Sequence, residues 1–116
     1  MIKLDIKPFS VNEAWQGKRY RTTKYKKWRG SCSWLLPNRL EGFDKDKHYK
    51  LSVKFGVSGK RSDIDNPLKP SLDALTDRYR DFDDRLIYEL NVLKHIVPKG
   101  QEYITFEIEE INYKTF

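Results

Sequence analysis

The sequence predicts an α+β domain spanning residues 1–116. One mixed β-sheet carries helices packed on one face, in the order strand–helix–strand–helix–strand–strand. Three observations lead there. Tyr49, Leu51, Val53, Phe55 and Val57 alternate strictly with polar or small residues, the period of a half-buried strand. Tyr25, Trp28 and Cys32 recur at helical spacing. Asn66-Pro67 opens a second helix, because Asn is a good N-cap and Pro suits the first helical position, and Leu68, Leu72 and Leu75 supply its buried stripe.

The remaining elements follow in chain order. Ile2, Leu4 and Ile6 alternate with Lys3, Asp5 and Lys7 to make a strand that Pro8 ends. Ser10 and Glu13 have capping-box spacing, but Gly17 and the charges after it favour a loop with one turn of helix. The first long helix runs from about Thr23 to Leu36, is weakened by Gly30 and is stopped by Pro37. Residues 38–47 read as a polar loop. The second helix fades near Thr76. The segment RLIYELNVLKHIV after Asp84 reads as a strand, with a short turn available at Leu86-Ile87. Pro98-Lys99-Gly100 is a turn, and Tyr103 to Tyr113 is a last strand with Ile104, Phe106 and Ile108 on one face.

A chain of 116 residues buries a modest single core. It has no run of 18 apolar residues, so no membrane partner is expected. MIKLDIKPF lacks the continuous apolar stretch of a signal peptide. A lone Cys32 makes no internal disulfide, and with only His48 and His95 it makes no zinc site. These features together predict a soluble, cytoplasmic protein.

The net charge is +6, unevenly spread. From Lys18 to Arg29, in KRYRTTKYKKWR, seven of twelve residues are basic, with Tyr20, Tyr25 and Trp28 interleaved. Two readings stand. Lys18, Arg19, Arg21, Lys24, Lys26 and Lys27 bind a phosphate backbone while the rings stack on bases, or they solvate a helix face whose rings point into the core. A pI of 9.4 leans toward nucleic acid.

Against that basic background, Asp63 to Asp84 carries seven of the seventeen acids: Asp63, Asp65, Asp73, Asp77, Asp81, Asp83 and Asp84. Two residues apart on an extended segment, Asp63 and Asp65 point the same way and offer oxygens to one hard cation. A strand starting at Asp84 beside the first strand would bring that carboxylate to the same spot. Lys69, in the first turn of the second helix, would point back at the cluster, damp its repulsion and contact a phosphate oxygen. A metal here implies phosphodiester hydrolysis. D-x-D-N taken alone favours helix capping, and Asp73, Asp77 and Asp81 read as surface or packing residues. An EF-hand, a phosphate loop, a cysteine–histidine pair and a serine triad are all excluded by spacing. His48 and His95 read as strand or loop residues.

The combination D-I-D-N-P-L-K at Asp63–Lys69, L-D-A-L-T at Leu72–Thr76 and F-D-D at Phe82–Asp84 resembles the RusA family of Holliday junction resolvases, in order and in spacing. P-F-S-V-N-E-A-W (Pro8–Trp15), R-Y-R-T (Arg19–Thr22) and the aromatic-basic helix that follows are similar to members of it too, so the resemblance spans most of the chain. It implies a homodimeric, Mg²⁺-dependent endodeoxyribonuclease of bacterial or phage-infected cells, with Mn²⁺ as a possible substitute ion. Such an enzyme nicks four-way junctions symmetrically in recombination and repair. The resemblance assigns the metal-binding acids to Asp63, Asp65 and Asp84, with Asp83 ranked below them, and the catalytic lysine to Lys69. Many relatives carry a glycine before the last acid pair; this chain has R-Y-R-D-F-D-D, where Asp81 adds a carboxylate. Lys60 and Arg61 give the loop before Asp63 fewer basic residues than some relatives have.

The alternative reading is a non-catalytic DNA-binding or architectural protein that keeps the fold only. A nuclease for flaps or forks is a third. An RNA-binding module leaves Asp63, Asp65 and Asp84 unexplained.

Overall fold

The computed structural model describes residues 1–10, 15–16, 20–38, 43–44, 46–60 and 63–112, with the backbone alone at residues 15, 16, 20 and 21. The expected helical turn after Ser10, much of the polar loop 38–47 and Tyr113 at the end of the last strand lie outside the described residues. The elements are β1 (Ile2–Leu4), β2 (Trp15–Gln16), β3 (Tyr20–Arg21), α1 (Thr23–Leu35), β4 (His48–Val57), α2 (Leu68–Arg78), a 3₁₀ turn (Asp84–Leu86), β5 (Ile87–Ile96) and β6 (Tyr103–Ile111). The α+β expectation holds: one mixed sheet in the order β1-β6-β4-β5 carries the two helices. The expected order also holds, with one addition. β2 and β3 pair as a small antiparallel hairpin, Trp15 opposite Arg21.

β4 is a central strand. It runs antiparallel to β6 and parallel to β5. Leu51, Val53 and Phe55, with Phe106 and Ile104 as their register partners on β6, form the buried face. Lys50 and Lys54 alternate outward, and Lys50 pairs with Glu109 at 3.7 Å on the open face. Gly56 is required for space: a methyl group there would collide with the ring of its partner Tyr103. We expect Gly56→Ala to cost about 1–3 kcal/mol in urea unfolding, because the ring must leave its place.

Helix α1 starts where Thr22 Oγ1 accepts the Tyr25 N–H at 3.2 Å. It stops at Leu35, because a residue before proline is pushed out of the helical region, and Leu36 precedes Pro37. Its inward face is Tyr25, Trp28 and Cys32, as the spacing predicts. Phe9 lies against both Tyr25 and Trp28, with ring centroids 5.4 and 5.7 Å apart, and Trp28 Nε1 donates to the Lys7 carbonyl at 2.8 Å. These contacts fasten the N-terminal segment to the helix.

Helix α2 departs from expectation at both ends and on its buried face. It begins at Leu68, with Pro67 as the cap (φ −85°, ψ −3°) and no side-chain capping bond. The Asn66 amide does not cap it; it donates instead to Asp63 Oδ2 at 3.3 Å. It ends at Arg78, two residues past the predicted Thr76. The buried face is Pro70, Ser71, Ala74 and Leu75, with Leu68 and Leu72 only half-buried. Small residues let the helix approach closely, and the Ser71 hydroxyl is satisfied by the Pro67 carbonyl at 2.7 Å. The two helices lie side by side and run the same way: Tyr25 reaches Asp73, and one turn later Arg29 makes a two-pronged pair with Asp77.

Parallel β4 and β5 require a crossover, and α2 provides it. The turn after β5 closes by a Gln101 N–H to Pro98 carbonyl bond at 3.0 Å. Gly100 takes φ +94°, a region open to glycine.

Candidate metal and nucleic-acid site

Asp63 and Asp65 lie beyond the Val57 end of β4, in the turn that leads into α2. Both are exposed. The Asp65 carbonyl accepts the Leu68 N–H at 3.1 Å, so the backbone, and not the Asp65 carboxylate, closes this turn. Asp63 shares one oxygen with the Asn66 amide. Two acidic oxygen donors with open approach suit a hard cation that keeps most of its waters.

Lys69 departs from expectation. Its ammonium lies 3.2 Å from Asp73 Oδ1, one turn along its own helix. The other Asp73 oxygen accepts the Tyr25 hydroxyl at 2.7 Å. Of the surface and packing roles the sequence left open for Asp73, packing is the one observed: it ties Lys69 to the buried ring of α1. The i,i+4 Lys–Asp spacing is a sequence signal for the Lys69 half of this link, and nothing local signals the Tyr25 half. Burial first, and then the Asp73 carboxylate, push the Tyr25 phenol well above its ordinary value, so it acts as a fixed donor.

Asp84 does not join Asp63 and Asp65 within one chain. β5 does lie beside β4, as expected, but parallel to it: Tyr49 pairs with Ile87 and Val57 with Ile96. The start of β5 is therefore at the Tyr49 end, and β4 spans about 26 Å between the ends at roughly 3.3 Å per residue. Phe82 confirms the placement, packing with Phe43, which in turn packs on Tyr49, at ring separations of 5.2 and 5.4 Å. Among the described residues no three acids, histidines or cysteines gather as metal ligands.

Asp83 and Asp84 line an open depression of about 780 Å³ with Thr76, Arg80, Asp81 and Arg85. Asp83 has a structural task. It accepts the Arg85 N–H at 2.9 Å and holds the Arg85 guanidinium, Nη2 to Oδ2 at 2.8 Å. The Arg85 side-chain hydrogen bond, then the backbone one, keep its carboxyl below its ordinary value. Asp84 starts the 3₁₀ turn and is exposed.

The basic residues divide. Lys24, Lys26 and Lys27 are exposed on the first turns of α1, beside the first turns of α2. Tyr25 and Trp28 are buried, so on this helix the solvated-face reading of the rings is the one observed. Lys60 is exposed, and its carbonyl accepts the Lys94 ammonium at 3.4 Å, which brings Lys94, unmarked by the sequence, to the Asp63–Asp65 end of the sheet. Lys18, Arg19 and Arg61 lie outside the described residues, and Arg21 is described only as backbone of β3. His48 packs edge-on against Tyr88 at 4.1 Å between centroids, and His95 Nδ1 and the Tyr103 hydroxyl share a hydrogen bond at 2.9 Å.

Cys32 is a free thiol, fully buried. Burial, and then the Asp77 charge, push its thiol from 9.0 to about 12. The sign follows directly: above pH 9 the unfolded thiol loses its proton while the folded one keeps it, so folding stability falls as pH rises through that window. The raised Tyr25 phenol acts in the same direction. The unfolding free energy read from urea titrations should drop between pH 9 and pH 11, by on the order of 2 kcal/mol, and Cys32→Ala should flatten that slope.

No protein-family model matches the sequence, and no curated protein matches it.

Proposed function

We propose that this protein is a metal-dependent endodeoxyribonuclease acting on branched DNA, with paired symmetric nicks at a four-way junction as its reaction and a homodimer as its working form. The observation that carries the reading is the pairing of Asp63 and Asp65, two exposed carboxylates on one turn, with Lys69 in the helix turn that follows. The residue pattern Asp63–Lys69, Leu72–Thr76 and Phe82–Asp84, similar to the RusA resolvases, supports it. No helix among the described residues is long and apolar enough to cross a membrane.

Asp63 and Asp65 would hold Mg²⁺, or Mn²⁺ in its place. When bound, the ion supplies a water of lowered pKa and neutralises charge on the scissile phosphate. The chain's own residues do the rest. Lys69, steadied by Asp73, offers a cation to a phosphate oxygen as negative charge develops. Lys24, Lys26, Lys27, Lys60 and Lys94 offset the acids so that DNA approaches. Two cuts across a two-fold junction call for two identical sites, which C2 dimerisation supplies.

One observation favours the architectural reading: two carboxylates with no third gathered to them among the described residues make a lean metal site in a single chain. The test is incubation of a synthetic four-way junction with Mg²⁺, beside linear duplex and flap controls. Paired symmetric nicks on the junction support the nuclease. Salt-sensitive binding without nicks on any substrate leaves the architectural protein, and cuts on flaps alone keep the chemistry and change the substrate.

A further inference from the structure

Trp34 is the most exposed ring among the described residues, at 89 %. It lies in the last turn of α1, away from the stripe of Tyr25, Trp28 and Cys32 that faces the core. A single exposed ring needs no explanation by itself, but its surroundings do. Gly30 lies one turn before it on the same face, inside an exposed stretch of helix where alanine would be more favourable. A Cβ at Gly30 would meet nothing within 4 Å, so no neighbour in this chain requires the glycine. It leaves the helix backbone bare beside the indole. Gly30 and Trp34 also line an open depression of about 590 Å³ with Ser33, Asn38, Asp77 and Arg78. The polar groups there are held in place: Arg78 Nη2 donates to Asn38 Oδ1 at 2.6 Å, and Asp77 is paired with Arg29.

We propose that this depression is a stacking subsite for one unpaired nucleobase of DNA, which lies against the Trp34 ring in the space that Gly30 leaves open. Lys26 and Lys27, both exposed and one turn before Gly30, neutralise phosphates on that side. Lys27 is seven residues before Trp34, about 10 Å along the axis at about 1.5 Å per residue. That is about three nucleotides of a strand at a stacked spacing of about 3.4 Å. One helix face thus offers cation, gap and ring, the parts with which proteins hold a single strand. The setting also decides between a base and a protein as occupant. A protein-docking patch needs contiguous apolar surface, whereas Trp34 is bordered by Ser33, Asn38, Asp77 and Arg78. The other exposed large apolar side chain of α1, Leu35, is about 100° further round the helix.

A base inside a duplex already has both faces stacked, so a ring on a helix surface reaches only a base outside the stack. The subsite therefore selects DNA with unpaired nucleotides (a branch, a flap or a gap) over continuous duplex. The inference rests on the DNA-directed reading for its ligand, and not on cleavage. Its place in the fold separates it from the acids. The helices run the same way with Arg29 opposite Asp77, so Trp34 is at the ends remote from Asp63 and Asp65. From Lys69 to Asp77 alone α2 rises about 12 Å. The stacked base is thus held away from the phosphate that Asp63 and Asp65 address, and acts on binding and placement rather than on the chemical step.

The test reads binding without turnover, in EDTA, with a labelled oligo(dT) strand beside a labelled duplex of equal length. Trp34→Ala should keep the wild-type urea midpoint, because the side chain is exposed. It should weaken oligo(dT) binding about five- to a hundredfold, the loss of one stacked base. Duplex affinity and the slope of binding against salt should not change, since no charge is removed. Trp34→Phe should restore most of the loss. Gly30→Gln separates space from stability: it should raise the urea midpoint through helix propensity and still weaken oligo(dT) binding at least about fivefold, by filling the gap. Oligo(dT) should quench the tryptophan emission of the wild type, and Trp34→Ala should lose that quench. Wild-type affinity for oligo(dT) in Trp34→Ala or in Gly30→Gln overturns the subsite, as does a wild type that does not bind the strand. An equal loss on strand and duplex overturns the selection for unpaired bases, and tighter binding to the matching RNA strand overturns the assignment to DNA. A protein that nicks no substrate yet shows the Trp34-dependent preference supports the subsite and removes the nuclease.

Discussion

Asp65→Asn should leave a four-way junction bound and uncut. The substitution keeps the size and removes the charge that a metal needs. Loss of a metal contribution worth several kcal/mol of transition-state stabilisation lowers the nicking rate by at least roughly a thousandfold. Folding should be unaffected within about 0.5 kcal/mol, because the side chain is exposed and the turn is closed by the Asp65 carbonyl, whose bond to the Leu68 N–H survives. Junction affinity should stay level or rise slightly, since one repulsive charge is gone, and its salt dependence should keep the same slope. The measurement is single-turnover cleavage beside a binding titration at two salt concentrations. A variant that nicks at the wild-type rate takes Asp65 out of the chemistry. A variant that neither binds nor cuts would make Asp65 a contact for DNA rather than for a metal.

Most of the fold was legible because burial is one-sided. β4 buries one face, so Tyr49 to Val57 shows the alternation in full, and α1 puts Tyr25, Trp28 and Cys32 on one stripe with Lys24, Lys26 and Lys27 outside. What misled was direction and size. Alternation tells which face a residue takes and nothing of whether a neighbouring strand runs parallel, so the strand after Asp84 was rightly predicted and its acid placed at the wrong end. In α2 the leucines drew the stripe toward Leu68 and Leu72, while the close contact was made by Ser71 and Ala74, whose value is their small size. The Asn66 cap failed because the helix starts one residue later than expected, at Leu68 with Pro67 in the cap position, which leaves Asn66 in the preceding turn with its amide nitrogen donating to Asp63. The role of Asp73 depends on a partner 48 residues away, which no local pattern contains.

That role carries the second large effect. Lys69→Met should slow nicking by about a hundred- to a thousandfold, the loss expected when one preorganised group facing the developing charge is removed. Asp73→Asn should slow it about ten- to a hundredfold with Lys69 intact, because the ammonium, 62 % exposed, then loses its anchor and samples solvent. Tyr25→Phe should cost about 1 kcal/mol of stability through the lost hydroxyl bond and should slow nicking least, since the Asp73–Lys69 pair remains. The double variant is decisive. If Asp73 acts by positioning Lys69, adding Asp73→Asn to Lys69→Met changes the rate no further, whereas independent roles multiply. Single-turnover rates for the four proteins, compared at equal folded fraction, read the difference. A multiplicative loss would show that Asp73 works on something other than the lysine it holds.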